Sequence, residues 1–168
     1  MSCRVCKSHL IQKGLFYRCS SPECGAAHWD KYAVKKLVKS DKSAKRIKEP
    51  SWMSTLLEEA EVPESKSGES YVYVLKLRKN FPKNTPKNLI EKSSNLGKGR
   101  YYVGMTGLHP YARYLNHLRG YKSSWFARKM AVAMVGFEGP MSHDDAVKRE
   151  PEKAQELRQE GFDVDGGH

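Results

Sequence analysis

The chain has 168 residues, with 30 lysines and arginines against 19 acidic residues and a formal net charge of +11. This length suits one domain with a small appendage, and no apolar run is long enough to cross a membrane. We see no apolar segment typical of a secretory signal, so we expect a cytoplasmic protein whose cysteines are reduced. A strongly basic chain favours polyanionic partners, because each phosphate contact releases condensed counterions.

The chain has four cysteines, which form two short knuckles separated by a twelve-residue spacer: Cys3, Cys6, Cys19 and Cys24. Four thiolates at this spacing are typical of a closed, tetrahedral zinc site. Two disulfides or buried free thiols are the alternative, which a reducing compartment disfavours. His9 and His28 are possible alternative ligands, but four cysteines suffice, so we expect both histidines at the surface or facing DNA.

We therefore expect residues 1–32 to form a unit of their own, with a short strand at residues 15–17 between two turns. The segment from Gly14 to Gly25 resembles the zinc ribbons found in topoisomerase tails. So small a unit buries little apolar area, so metal binding would supply its folding free energy. We expect it to position DNA through basic and aromatic side chains, and a structural or protein-contacting module is the alternative. The side chains in question are Arg4, Lys7, Lys13, Arg18 and Trp29.

Residues 33–70 predict a basic helical linker. Apolar residues at helical spacing indicate a short helix from Tyr32 to Ile47. A second helix is expected from Trp52 to Glu61, with Ser51 as its N-cap. The polar residues 62–70, which include proline, serine and glycine, predict a linker to the next domain.

Two apolar and aromatic runs, Tyr71–Leu77 and Tyr101–Gly104, predict neighbouring strands. The insert at residues 78–99 is too long for a two-residue hairpin turn. Long loops in compact domains are usually functional or disordered. We interpret the insert as a basic loop that grips DNA, with plain disorder as the alternative.

The remaining elements are predicted in order along the chain. A helix from Pro110 to Arg119 would place Arg113 and His117 on one face, one turn apart. A short helix from Trp125 and a strand from about Ala131 follow. Ser142 is expected to cap a helix that carries Glu150 and ends at Gly161, before an edge strand at residues 162–164. Pro151 should kink this helix just after Glu150.

These residues, in this order, resemble the GIY-YIG nuclease family over about residues 71–164. The first triplet is Tyr71-Val72-Tyr73, of which Tyr73 matches, and the second is Tyr102-Val103-Gly104. Arg113, His117 and Glu150 then match the family's later motif residues. The resemblance implies an α+β domain at residues 71–168, with a small three-stranded mixed sheet flanked by helices, joined to the N-terminal zinc ribbon.

The resemblance also implies a metal-dependent DNA endonuclease with a restriction, repair or mobile-element role. Glu150 would bind Mg²⁺ or Mn²⁺, and Arg113 would hold the scissile phosphate. Tyr73 would contact and deprotonate the attacking water, Tyr102 would hold the water or the phosphate, and His117 would relay a proton or hold the phosphate. The family often has an asparagine near the C-terminus, and none follows Asn116 here.

The charge distribution favours nucleic acid as the partner, either double-stranded or branched DNA. Between Lys76 and Lys129 there are 13 basic residues and one acidic residue, Glu91, whereas the residues from Met130 onward include 9 acidic and 4 basic ones. A short charge run usually marks only a solvated surface, but so large an imbalance favours phosphate contact. The residues expected to bind nucleic acid are Lys76, Arg78, Lys79, Arg100, Arg119 and Lys122. Two alternatives are a non-catalytic nucleic-acid-binding protein that retains the GIY-YIG fold and a zinc-ribbon module that contacts protein.

Overall fold

The computed structural model describes residues 1–91 and 97–167, and it has an α+β fold. The strands are β1 (Leu10–Lys13), β2 (Phe16–Cys19), β3 (Ala27–Trp29), β4 (Ser70–Leu77), β5 (Arg100–Thr106), β6 (Ala131–Met141) and β7 (Asp163–Gly166). The helices are α1 (Lys31–Ser40), α2 (Ser51–Glu59), α3 (Lys87–Glu91), α4 (Pro110–Arg119), α5 (Trp125–Met130) and α6 (His143–Gln159).

The strands form one mixed sheet in the order β1-β2-β3-β6-β4-β5-β7. The prediction of a three-stranded sheet is wrong, because the sheet has seven strands and continues beyond β4, β5 and β6 at both edges. On one side Ala27 of β3 pairs with Met134 of β6, which joins β1, β2 and β3 to the rest of the sheet. On the other side β7 pairs with β5 in parallel.

Strand β4 is central because nearly all of its side chains are apolar, so both of its faces can be buried. Tyr73 and Leu75 face a core that includes residues of α4 and α5. Val72 and Val74 face the opposite core, which includes Ala146 and Ala154 of α6. Helices therefore cover both faces of the sheet. Because side chains alternate along a strand, neighbouring residues of β4 point into different cores.

Two helices have the boundary signals that the sequence predicted. Helix α4 has Pro110 in its first turn and ends at Gly120, which is left-handed with φ of 86°. Helix α6 is capped by Ser142, whose hydroxyl accepts a hydrogen bond from the backbone N–H of Asp145 at 3.1 Å. Pro151 lies inside that helix.

Other boundaries differ from the prediction. Helix α1 ends at Ser40 and not at Ile47, because the backbone of Asp41 leaves the helical conformation and is extended. Helix α2 begins at Ser51 itself, with Pro50 in the cap position and no side-chain cap hydrogen bond. Strand β6 continues to Met141. The predicted DNA-gripping insert contains α3, and its residues 92–96 lie outside the described residues.

In the described part of the chain, none of the helices combines the length and the hydropathy that a membrane span requires.

Candidate active site and four-cysteine cluster

The four cysteines lie together at one end of the ribbon. The sulfur atoms of Cys3, Cys6, Cys19 and Cys24 all lie within 4.8 Å of one another. The Sγ atoms of Cys3 and Cys24 are 3.8 Å apart, and those of Cys6 and Cys19 are 3.4 Å apart. A disulfide would need about 2.05 Å, whereas Zn–S bonds of about 2.3 Å in a tetrahedron separate the sulfurs by about 3.8 Å. The cluster could therefore bind a metal such as zinc.

The backbone around the cysteines also suits a metal. The N–H of Val5 donates to Cys3 Sγ and that of Ser21 donates to Cys19 Sγ, both at 3.4 Å. Such donors stabilise the negative charge of a thiolate ligand. In each knuckle the residue after the second cysteine is left-handed, with φ of 69° at Lys7 and 56° at Gly25. His9 is exposed and His28 stacks on another ring, and neither belongs to the cluster.

A second group of polar side chains meets on the α4 face of the sheet. Tyr73 of β4 is 1% exposed, and its phenol oxygen lies 2.6 Å from Nε2 of His117, which is fully buried on α4. Tyr102 of β5 lies beside both, with ring centroids 6.2 Å from Tyr73 and 5.8 Å from His117. These three side chains come from three elements and are brought together by the sheet register, which pairs Tyr102 with Leu75.

Ser123 is the partner of the other ring nitrogen of His117. Its Oγ lies 3.0 Å from His117 Nδ1, and the carbonyl oxygens of His117 and Ser124 lie 3.2 Å and 3.0 Å from the same hydroxyl oxygen. If the hydroxyl proton points to one of these carbonyls, Nδ1–H donates to Oγ and Nε2 accepts from the Tyr73 phenol; if it points to Nδ1, both bonds are reversed. The tautomer with the proton on Nδ1 makes the phenol the donor to a neutral imidazole.

Burial controls the protonation of this group. Burial, together with the charge of Arg113, lowers the pKa of His117 to about 3, so the imidazole is neutral at pH 7. The pKa of Tyr73 is raised by burial and by the neighbouring Tyr102, and the charge of Arg113 partly offsets this rise. The pKa of Tyr102 is likewise raised by burial and lowered by Arg113. Both phenols are protonated at neutral pH.

Arg113 and Glu150 lie close enough to act electrostatically on both phenols. Arg113 is half-buried on α4, and its NH2 group donates to the carbonyl of Lys122 at 2.9 Å, which fixes the guanidinium. The carboxylate of Glu150 raises the pKa of Tyr73 and of Tyr102. The structure thus places Tyr73, Tyr102 and His117 side by side, and it places Arg113 and Glu150 within electrostatic range of the two phenols.

Glu150 lies on α6, the helix that packs against the opposite face of the sheet. It is 9% exposed, and its Oε1 accepts a hydrogen bond from the backbone N–H of Gly167 at 3.2 Å, directly after the end of β7. The carboxylate and the two phenols offer oxygen atoms only, and hard cations such as Mg²⁺ prefer such donors. The residues present therefore fit a divalent cation with Glu150 as its charged ligand.

Gly104 is a residue of this site whose role sequence reasoning missed. A Cβ atom at Gly104 would lie 2.6 Å from the Tyr73 phenol oxygen and 3.0 Å from Cε1 of Tyr102. Only a glycine leaves the two phenols in their places. A glycine inside an apolar strand was the available signal, because it often marks a close approach of another group. Ser123, whose hydroxyl lies 3.0 Å from Nδ1 of His117, is the second missed residue.

The predicted nucleic-acid contacts divide into exposed and buried side chains. Arg78, Lys79 and Lys122 are exposed and Lys76 is half-buried. Two of the predicted contacts are buried instead. Arg100 is 4% exposed, and its Nε lies 3.0 Å from Asp163. Arg119 is 1% exposed; its guanidinium donates to Asn116 Oδ1 at 2.7 Å and to backbone carbonyls at residues 44, 47 and 48.

No protein-family model matches the chain, and neither a curated protein nor a solved structure matches it. The GIY-YIG and topoisomerase resemblances therefore stay predictions from the motif residues. What the chain does has to be argued from the geometry and the chemistry of its own side chains.

Proposed function

We propose that the chain is a metal-dependent DNA endonuclease, which hydrolyses phosphodiester bonds by in-line attack of a water molecule. One observation carries this proposal. The phenols of Tyr73 and Tyr102 lie beside the His117 imidazole, and the charges of Arg113 and Glu150 act on both phenols. Such a set combines proton transfer with charge stabilisation, which phosphoryl transfer requires.

The Tyr73–His117 pair supplies a route for the proton of the attacking water. In the tautomer with the proton on Nδ1, the phenol donates inward to Nε2, so the lone pairs of its oxygen are free to accept a proton from a water. The phenol proton would then pass to His117, whose low pKa the negative charge of a bound phosphate would raise, so that no free phenolate has to form. Ser123 Oγ would accept a hydrogen bond from Nδ1–H in that tautomer.

Arg113 and Glu150 supply the charge. The guanidinium of Arg113 is anchored through one nitrogen on the Lys122 carbonyl, and its other N–H groups can hold the scissile phosphate. Glu150 would hold Mg²⁺ or Mn²⁺, which when bound stabilises the negative charge that develops on the phosphoryl oxygens. Tyr102 lies beside Tyr73 and positions the water or the phosphate.

We further propose that the ribbon binds a structural zinc ion and aids DNA binding. Four thiolates complete a tetrahedral site and leave no open position for a substrate, which is typical of a structural site. The ribbon strands β1, β2 and β3 are also part of the main sheet, so the ribbon has a fixed position relative to the rest of the fold.

Cleavage assays with a matched pair of variants test the catalytic proposal. Purified protein is incubated with supercoiled plasmid and with duplex, branched and single-stranded oligonucleotides, with and without Mg²⁺ or Mn²⁺. Glu150→Gln keeps the shape and removes the charge, and Glu152→Gln makes the same change at an exposed position of the same helix. We expect a loss of about 100-fold or more for Glu150→Gln and little change for Glu152→Gln.

Equal cleavage by both variants would refute the role of Glu150. Tight binding by the wild-type protein without any cleavage would instead support a non-catalytic nucleic-acid-binding protein. The absence of an asparagine after Asn116 favours that second candidate, because the related nucleases often have one there.

A further inference from the structure

A cleft of about 280 Å³ lies where the ribbon meets the start of α1 and the end of β4. Four cationic side chains line it: Arg4, Lys31, Lys35 and Arg78. They come from the first cysteine knuckle, from α1 and from the residue after β4. None of the five candidate catalytic residues lines the cleft, so it is a separate site.

The cations in the cleft outnumber the carboxylates. Among the described residues that line it, Asp30 is the one acidic residue. Its Oδ1 accepts hydrogen bonds from the backbone N–H groups of Tyr32 at 2.9 Å and Ala33 at 3.0 Å, as the N-cap of α1. Asp30 is therefore held by the helix end, and it offsets only part of the positive charge.

The crowding of these charges is visible at Lys31. Burial, together with the charges of Arg78, Arg4 and Lys35, lowers the pKa of Lys31 to about 8. Its ammonium donates to the carbonyl of Ala131, which leaves other N–H donors for a ligand. An anion in the cleft would relieve the repulsion among all four cations.

Aromatic rings lie next to the cations. The rings of Tyr17 and His28 are stacked, with centroids 5.1 Å apart and an angle of 11° between their planes. The pKa of His28 is lowered by burial and by the charges of Arg4 and Lys31, so the ring is neutral at pH 7. Tyr32 lies at the opening and is 71% exposed. Cations with flat rings beside them are typical of sites for a phosphate and its adjoining base.

We propose that this cleft binds a backbone phosphate of a polynucleotide. The inference rests on the proposed function for the class of ligand, a nucleic acid, and it does not depend on cleavage. Because Arg78 belongs to the end of β4 and Arg4 to the ribbon, one phosphate is held by both parts of the chain. The cleft thus fixes the position of a bound nucleic acid on the protein surface.

Two double variants with the same loss of charge test the proposal. Lys35→Gln with Arg78→Gln removes two cations from the cleft, and Lys39→Gln with Lys42→Gln removes two exposed cations outside it. Binding of fluorescent duplex and single-stranded oligonucleotides is measured by anisotropy without divalent ions, and thermal melting checks the fold. We expect the cleft variant to bind about tenfold more weakly at about 0.1 M salt, with a salt slope smaller by about two. The control should change by less than about twofold.

Equal weakening in both double variants would mean a diffuse charge effect and would overturn the site, as would no weakening in either. Competition with inorganic phosphate and with a mononucleotide separates the possible sources of the anion. If inorganic phosphate binds in the cleft but is not displaced by an oligonucleotide, the polynucleotide assignment is overturned. A wild-type protein that binds through the cleft but does not cleave would refute the endonuclease and leave this inference standing.

Discussion

The phenol of Tyr73 and the imidazole of His117 form a buried hydrogen bond of 2.6 Å between the central strand and α4. The two residues are 44 positions apart in the chain. The bond joins a phenol with a raised pKa to an imidazole with a lowered one, so both partners are neutral at pH 7. This pair is the part of the proposed site that mutagenesis can probe most directly.

Removing the Tyr73 hydroxyl should abolish the proton route. We expect Tyr73→Phe to reduce cleavage about 100-fold or more without weakening DNA binding. The variant should also lose about 1–3 kcal/mol of stability, because Nε2 of His117 is left buried without a partner. Tyr71→Phe is the control, since that hydroxyl donates only to Glu69, at 3.2 Å. Cleavage rates and urea unfolding are measured, and equal activity of the two variants would exclude the route.

The lowered pKa of His117 predicts a dependence of stability on pH. The folded protein keeps the imidazole neutral down to about pH 3, whereas an unfolded histidine binds a proton below about pH 6.5. Stability from this group is present above pH 6.5 and is lost as the pH falls towards 3, by up to about 1.4 kcal/mol per pH unit. Urea unfolding of wild type and His117→Asn from pH 7 to pH 5 measures it. The wild-type protein should show the steeper loss, and parallel curves would contradict this prediction.

A side chain at position 104 should displace both phenols. Gly104→Ala places a methyl group 2.6 Å from the Tyr73 oxygen, so we expect a strong loss of cleavage and a destabilisation of about 1–3 kcal/mol. Gly136→Ala is the matched control, because Gly136 lies in strand β6 of the same sheet and a Cβ there meets nothing within 4 Å. Cleavage rates and thermal melting compare the two. A fully active Gly104→Ala variant would show that the phenols do not need their present positions.

The cysteine cluster predicts which substitutions release the metal. Cys19→Ser should lose bound zinc and melt at a lower temperature, because the binding free energy of the metal adds to the stability of the fold. His9→Gln should keep one equivalent of zinc, since His9 is exposed and lies outside the cluster. Elemental analysis and thermal melting measure both effects. Zinc retained at full occupancy by Cys19→Ser would contradict the ligand assignment.

Local signals made several elements of the fold predictable. Pro110 and Gly120 mark the two ends of α4, so the spacing of Arg113 and His117 on that helix could be read from the sequence. Ser142 marks the start of α6 in the same way, and that helix carries Glu150. That Tyr73, Tyr102 and His117 lie beside one another was predictable only through the family resemblance, because they lie on three separate elements.

Non-local contacts account for what the sequence did not reveal. The pairing of β3 with β6 joins residues more than a hundred positions apart, and no local pattern marks it. Arginines are usually exposed, so Arg119 was expected to meet DNA. Its guanidinium is instead satisfied by carbonyls of the α1–α2 connection, such as that of Ile47 at 2.8 Å, which cannot be inferred from the helix that carries it.

The position of β3 in the sheet determines how the protein tolerates truncation at its N-terminus. Phe16 and Trp29 of the ribbon are buried in the main core, and the indole N–H of Trp29 donates to the carbonyl of Tyr111 at 3.0 Å. A polypeptide shortened to start after Trp29 would lose both rings and would leave β6 as a bare sheet edge. Such an edge recruits strands from other molecules, so the shortened protein should precipitate during purification.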